Sequence, residues 1–230
     1  MRTIIIAMKF IISTILFCSC TSLKQQETII AETNNSKPSI EKINEVYEIR
    51  QRIHADMPEF TYEIFGYRDE ILNHASKIVI FRNDSNEILQ QINFEETETP
   101  DDESFGFVIE DMNFDGYLDI RIQIDTPAAP NISYYCWIWD RSTSRFIENL
   151  DLESITSPEF DSKNKIITSF GRASAAEHFT ETYKYMAGIP TLMKKITEII
   201  DDKDIVHYIV EERLNNKIQV TKKYDEPLTQ

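Results

Sequence analysis

Apolar and polar positions alternate along most of the chain from residue 58 to residue 230. Short runs of this kind, bounded by polar turns, are typical of half-buried strands. Residues 77–82 and 88–94 flank one such turn, and residues 206–213 and 218–224 flank another. The other predicted strands are residues 61–67, 105–109, 118–124, 133–140, 145–148, 165–170, 180–186 and 191–199. Region 58–230 is therefore predicted to be an all-β domain of about 10–12 short strands, either an antiparallel sandwich or a small propeller-like body.

Residues 39–57 have a different spacing. Ile40, Ile43 and Tyr47 recur at helical intervals, and Pro58 follows directly. A serine at the first position can cap a helix, and proline is common just after one. The pattern predicts one N-terminal helix ahead of the β domain.

The first 19 residues have the features of a secretory signal peptide. Arg2 places a positive charge ahead of an apolar stretch, whose uninterrupted part covers only residues 10–17. A membrane-spanning helix needs about 20 apolar residues, so this stretch is too short. It ends in Ser19-Cys20, which resembles the lipobox of bacterial lipoproteins. The resemblance implies cleavage before Cys20 and a lipid on its thiol; an ordinary secreted protein, cut nearby, is the alternative.

Residues 20–38 are mostly polar and predict a flexible tether between the lipid and the domain. No aspartate directly follows Cys20, and no acidic cluster resembling a surface-export signal is present there. We therefore expect a cell-envelope protein, held by its lipid at the outer membrane and facing the periplasm. The inner membrane and the cell surface are the alternatives.

The chain is strongly acidic, with a formal net charge of −15. Cleavage would remove Arg2 and Lys9 and leave 22 basic against 39 acidic residues, a net charge of −17. This charge argues against nucleic acid as a partner, because binding it requires basic residues that neutralise phosphates. It also predicts repulsion from anionic lipid, apart from the anchor. A cation or a basic protein is the expected kind of partner.

Oxygen-bearing side chains alternate in segment 111–119, and Gly116 supplies a residue that tolerates a sharp turn. This pattern suits calcium, which binds six to eight oxygens in irregular geometry. The predicted ligands are the side chains of Asp111, Asn113, Asp115 and Asp119 and the main-chain carbonyl of Tyr117. Ile122 stands where an EF-hand needs glutamate, so the segment predicts a calcium loop between two strands instead. An acidic turn without metal is the alternative.

No catalytic centre and no organic cofactor site are predicted, so we expect a protein that is not an enzyme. The histidines His54, His74, His178 and His207 lack metal-binding spacing, and no phosphate-binding glycine loop or nucleophile motif occurs. The remaining cysteine, Cys136, is predicted to be a buried thiol.

Two further segments could contact a partner. The aromatic run at 134–139 could stack on sugars, although alternate members, such as Trp137 and Trp139, are expected in the core. The segment 169–177 is rich in small residues and could enter a partner's groove, or could simply connect two strands of a hairpin.

Residues 78–199 resemble bacterial calcium-binding lipoproteins related to inhibitors and immunity proteins of lysozyme-like peptidoglycan hydrolases. Some of these hydrolases are effectors of type IV secretion. The segments that carry the resemblance are residues 88–92, 111–120, 134–140, 145–150 and 182–188. The resemblance implies a calcium-binding lipoprotein that inhibits a basic peptidoglycan hydrolase. A carbohydrate-binding or envelope surface-assembly module, with a glycan as its partner, is the alternative.

Overall fold

The computed structural model describes residues 43–100, 104–127 and 130–228. These residues form three antiparallel sheets and one short helix, which confirms the predicted all-β class. Sheet 1 contains β1 (Ile43–Arg52), β2 (Glu59–Arg68), β3 (Leu72–Arg82), β4 (Glu87–Asn93) and β5 (Thr99–Pro100). Sheet 2 contains β6 (Phe107–Glu110), β7 (Asp119–Gln123), β8 (Tyr134–Asp140) and β9 (Arg145–Glu148), and α1 (Leu150–Glu153) follows it. Sheet 3 contains β10 (Pro158–Asp161), β11 (Ile166–Arg172), β12 (Glu177–Met186), β13 (Ile189–Ile200), β14 (Ile205–Leu214) and β15 (Lys217–Pro227).

Each sheet is a meander in which strands consecutive in sequence pair with each other, and the short β5 adds to β3. Successive turns of a meander lie at opposite ends of its sheet. In sheet 3, the turns β10–β11, β12–β13 and β14–β15 therefore share one end. The turns β11–β12 and β13–β14 share the other end.

Two hydrophobic cores place sheet 2 between the other sheets. One face of sheet 2 contributes Ile120, Trp137 and Trp139 to a core shared with Tyr62 and Ile80 of sheet 1. The opposite face contributes to a second core, together with α1 and sheet 3; its buried members are Met112, Phe114, Cys136, Leu152, Ile155 and Ile167. Burying a large apolar side chain stabilises a fold by about 1.5–3 kcal/mol. These two cores therefore fix the order of the sheets.

The predicted N-terminal helix over 39–57 is wrong where the structure describes it, because residues 43–52 form strand β1. Tyr47, Ile49 and Gln51 are half-buried, and the residues between them are exposed, as in a strand with one covered face. Ile49 lies opposite Tyr62 of β2. Apolar residues at these positions fit both the period of a helix and the period of a strand, and pairing with β2 selects the strand.

The aromatic run in β8 lies mainly in the core, as predicted for its alternate members. Trp137 and Trp139 are 4% and 2% exposed. Cys136 points to the other core, and burial raises the pKa of its thiol to about 12. The thiol is free and buried, as expected.

The predicted signal peptide (1–19), Cys20, the tether (20–38) and the first residues of the predicted helix (39–42) lie outside the described residues. Within the part of the chain that is described, no helix is long and apolar enough to cross a membrane.

Candidate functional site

The aspartate segment forms the connection between β6 and β7, and its backbone curls tightly around Asp111. Phe114 and Gly116 have positive φ angles of 62° and 91°. The Asp115 amide donates to Asp111 Oδ1 at 3.1 Å, and the Gly116 amide donates to Asp111 Oδ2 at 3.0 Å. The carboxylate of Asp111 therefore lies inside the curl, as an ion ligand at this position would.

Asn113 and Asp115 close the same curl. Asn113 Oδ1 accepts from the Asp115 amide at 3.0 Å, and Asn113 Nδ2 donates to Asp115 Oδ2 at 3.2 Å. Asp115 Oδ1 accepts from the Tyr117 amide at 2.9 Å. The structure therefore brings Asp111, Asn113 and Asp115 together in one exposed turn, as the spacing predicts.

Asp119 is the buried member of the set, at the first position of β7. Its Oδ2 accepts from the Met112 amide and its Oδ1 from the Trp139 amide, both at 2.9 Å. Burial raises the pKa of this carboxyl to about 7, against the lowering effect of the two amides. The negative charges of Asp115 and Asp111 contribute to this rise as smaller causes. A cation among these carboxylates would relieve both the repulsion and the desolvation.

The chemistry of the predicted calcium ligands suits the ion, but the arrangement of their side chains in the structure does not add support. Their chemistry is suitable, because carboxylates, an amide oxygen and a carbonyl oxygen are what calcium takes. Each carboxylate that accepts from amides still has lone pairs to offer. Among the described residues, however, no group of three or more His, Cys, Asp or Glu side chains lies close enough to hold a metal ion. Calcium therefore stays a prediction.

Side chains from loops of all three sheets contact the aspartate segment. Lys165, in the β10–β11 turn, donates through Nζ to the Phe114 carbonyl at 3.2 Å. The ring of Tyr117 stacks on His54, with centroids 4.2 Å apart, and the Arg141 guanidinium lies 4.9 Å from the same ring. These contacts hold the segment against both neighbouring sheets.

A second candidate site, at the β11–β12 turn, is a hairpin tip of small exposed residues, Ala173 to Ala176. The Ala173 amide donates to the Glu177 carbonyl at 3.0 Å, and the Ala176 amide to Ser174 Oγ at 3.2 Å. The neighbouring strand β13 also supports the tip, because the Ile200 amide donates to the Ala176 carbonyl at 2.8 Å.

Asn131 clamps the base of this hairpin from outside sheet 3. Its Nδ2 donates to the Arg172 carbonyl, and its Oδ1 accepts from the Arg172 amide, both at 2.8 Å. Arg172 Nε also lies 3.0 Å from His178 Nε2. No sequence signal marked Asn131, because its partner lies 41 residues further along the chain.

The end of sheet 3 that carries this hairpin is acidic, and we call it the acidic end. It comprises residues 172–178, 198–207 and 224–228, which contain seven acidic and two basic residues. The opposite end, the basic end, comprises residues 161–166, 182–193 and 213–221. These contain five basic residues and one acidic residue.

The remaining histidines lie among carboxylates. His74 is nearly buried, with Nε2 3.0 Å from Asp69 Oδ2, and its ring stacks on Tyr67. His207 lies between Asp201 and Asp225, and hydrogen bonds to these carboxylates raise its pKa. Both arrangements tie loops to strands. The expectation that the protein is not an enzyme stays a prediction.

No family model matches the chain, and no curated protein matches it. Among solved structures, the chain is similar to one described as a Xanthomonas Type IV Secretion System related protein. The TM-score is 0.57 at 13% sequence identity, over 77% of this chain and 99% of that one. At this level of identity, the likeness shows a shared all-β fold.

Proposed function

We propose that this chain is a calcium-binding lipoprotein of the cell envelope that binds a protein partner through the hairpin tip Ala173–Ala176. The candidate partner is a basic, lysozyme-like peptidoglycan hydrolase, which the protein would inhibit. The observation that carries the proposal is the hairpin itself, a narrow exposed tip on a clamped base at the acidic end of sheet 3.

The shape of the tip suits insertion into a cleft. Its side chains are small, so the backbone can approach a partner closely. Asn131 fixes the base through two hydrogen bonds of 2.8 Å to Arg172. A hairpin that is already ordered loses little conformational entropy on binding, which favours affinity.

The charge around the tip suits a basic partner. The tip residues 173–176 are uncharged, whereas the acidic end as a whole has seven acidic and two basic residues. Complementary charge around an uncharged contact speeds association and disfavours acidic partners. Both properties would serve an inhibitor of cationic hydrolases.

The location and the metal are parts of the same proposal. The lipobox-like Ser19-Cys20 supports a lipid anchor, with the outer membrane facing the periplasm as the proposed place. The fold neighbour is described as related to a type IV secretion system, which fits an envelope location for this chain. Calcium on segment 111–119 would hold the connection between β6 and β7 in one conformation.

The test uses the purified full chain and a basic lysozyme-type muramidase, with lysis of cell-wall suspensions and calorimetric binding as readouts. We expect inhibition by the wild type and at least about a tenfold loss of affinity for Ala175→Arg, which adds bulk and positive charge at the tip. Ala187→Arg, on an exposed turn at the opposite end, is the matched control and should bind like the wild type. Equal inhibition by Ala175→Arg and the wild type would refute the role of the hairpin.

The alternative, a carbohydrate-binding module, receives no support from the aromatic run. Sugar stacking needs exposed ring faces, and Trp137 and Trp139 are buried in the core with sheet 1. A glycan partner would need other residues, and no observation in the described structure favours one.

A further inference from the structure

The basic end of sheet 3 concentrates positive charge on a strongly acidic protein. Its cations come from three separate hairpins, and they are Lys163, Lys165, Lys184, Arg213 and Lys217. Four of them are exposed lysines. Arg213 donates to the carbonyls of Leu192 and Asn216, at 2.7 and 3.0 Å. Across the described part of the chain, none of the five forms an ion pair with a carboxylate. Lys165 donates to the Phe114 carbonyl in the acidic segment 111–119, so the charges available to a ligand are mainly those of Lys163, Lys184 and Lys217.

Large apolar side chains are exposed at the same end. Met186 and Ile189 form a cross-strand pair at the tip of the β12–β13 hairpin and are 43% and 51% exposed. Leu214, at the end of β14, is 46% exposed. The lysines Lys184 and Lys217 lie within three residues of these side chains along their hairpins. Exposed apolar tips beside lysines combine two kinds of attraction on one surface.

We propose that the basic end docks on an anionic phospholipid bilayer. The lysines would lie against lipid phosphates, and Met186, Ile189 and Leu214 would enter the interface between headgroups and acyl chains. This inference does not depend on the proposed partner of the acidic end. It orients the domain with the basic end towards the membrane and the hairpin Ala173–Ala176 away from it.

The apolar tips distinguish lipid from other anionic occupants. Phosphates of nucleic acid would attract the lysines equally, but would leave Met186, Ile189 and Leu214 in water. The acidic end of a second copy offers carboxylates around a tip of small residues, and Leu228 is its one exposed large apolar side chain among the described residues, too little to cover these three. A bilayer interface takes both the charged and the apolar groups, so it is the occupant that fits.

The experiment is hydrogen exchange, measured by mass spectrometry, on the full chain bound to vesicles. One set contains phosphatidylglycerol and phosphatidylethanolamine, and the other contains phosphatidylcholine alone. On the anionic vesicles we expect peptides 184–191 and 213–218 to exchange about fivefold more slowly than on phosphatidylcholine, because each lysine near the surface adds attraction. Peptide 172–178, at the acidic end, should exchange equally on both. The N-terminus is the same in all samples, so it cannot produce a difference between the wild type and its variants on the same vesicles.

Two charge-reversal variants complete the test. Lys184→Glu with Lys217→Glu should abolish the slowing, whereas the matched control, Lys203→Glu with Lys223→Glu, should keep it. Equal exchange on both lipids would overturn the proposal, as would slowing at both ends or slowing that survives the first variant. Slower hydrogen exchange that appears without vesicles and increases with protein concentration would assign the surface to a second copy instead. Slower exchange caused by nucleic acid but not by vesicles would also refute lipid docking. The wild-type comparison between the two lipids stands even if a variant fails to fold.

Discussion

Burial of Asp119 should make the calcium-free protein less stable as the pH rises. Desolvation raises the pKa of this carboxyl from 3.8 to about 7. The folded protein then keeps a proton that the unfolded chain releases near pH 4, so unfolding becomes easier as the pH rises through that window. A shift of about 3 units at about 1.4 kcal/mol each corresponds to a total loss of about 4 kcal/mol in the free energy of unfolding.

The measurement is urea unfolding in the presence of a chelator. Between pH 4.5 and pH 7.5, Asp119 should remove about 3 kcal/mol of stability, because part of the total is already lost at the lower pH. Other groups change in the same window, including Glu153 and His207, whose pKa values are also raised. The control is therefore Asp119→Asn, which keeps these groups and cannot ionise at position 119.

At low pH, the Asp119→Asn variant should be less stable than the wild type by about 1–3 kcal/mol in the free energy of unfolding. The reason is that its amide nitrogen faces a backbone N–H from which the carboxylate accepts a hydrogen bond. Its stability should then change less with pH than that of the wild type. If both proteins lose the same stability between pH 4.5 and pH 7.5, the reasoning about Asp119 is wrong.

Calcium should reverse this loss if segment 111–119 binds the ion. A ligand at 100 times its Kd stabilises the native state by about 2.7 kcal/mol. The effect should be larger at pH 7.5, where Asp119 is mostly ionised, than at pH 4.5, where Asp119 is protonated. Asp115→Ala should abolish the rise in Tm without unfolding the protein, because Asp115 is exposed. The absence of any shift at millimolar calcium would argue against the metal site, independently of the pKa of Asp119.

Four substitutions test the packing by urea unfolding. Ile120→Ala, in the core between sheets 1 and 2, should lower the free energy of unfolding by about 3 kcal/mol. Ile147→Ala, at a position 48% exposed, should lower it by less than about 0.5 kcal/mol. Equal losses would contradict the assignment of the core. Tyr62→Phe should be neutral or stabilising by about 1 kcal/mol, since the buried Tyr62 hydroxyl has no hydrogen-bond partner among the described residues. A clear loss of stability would show that this hydroxyl has a hydrogen-bond partner. Gly66→Ala should cost more than about 2 kcal/mol, because a Cβ there would lie 2.0 Å from the His74 carbonyl oxygen. A neutral result would show that β2 and β3 can move apart at the register shift between Phe65 and Gly66.

The strands were largely predictable from alternation alone. The pair predicted at 206–213 and 218–224 corresponds to β14 and β15, which are longer by a few residues at their ends. Strand ends depend on pairing with neighbours, and single-residue patterns do not contain that information. The error at β1 has the same origin, since its apolar residues fit both a helix and a strand until β2 is present beside it.

The aspartate loop could be found in the sequence because its residues lie within nine consecutive positions and one local turn brings them together. The burial of Asp119 was not visible there, because it depends on Trp139 of β8, 20 residues away. The hairpin clamp requires Asn131 and Arg172, which are 41 residues apart. Long-range contacts of this kind set the geometry of a site, and composition does not reveal them.

The distribution of charge over the surface also depends on the fold. A net charge of −15 predicts repulsion from anionic lipid, and this prediction treats the protein as a uniform body. The meander of sheet 3 sorts its turns into two ends, five basic residues against one acidic residue at one end and two against seven at the other. Because the Debye length is about 8 Å at physiological ionic strength, a ligand responds to the end that it meets and not to the total. The two ends of sheet 3 therefore differ in local charge, and the proposed partner at the hairpin would not compete with the proposed lipid at the basic end.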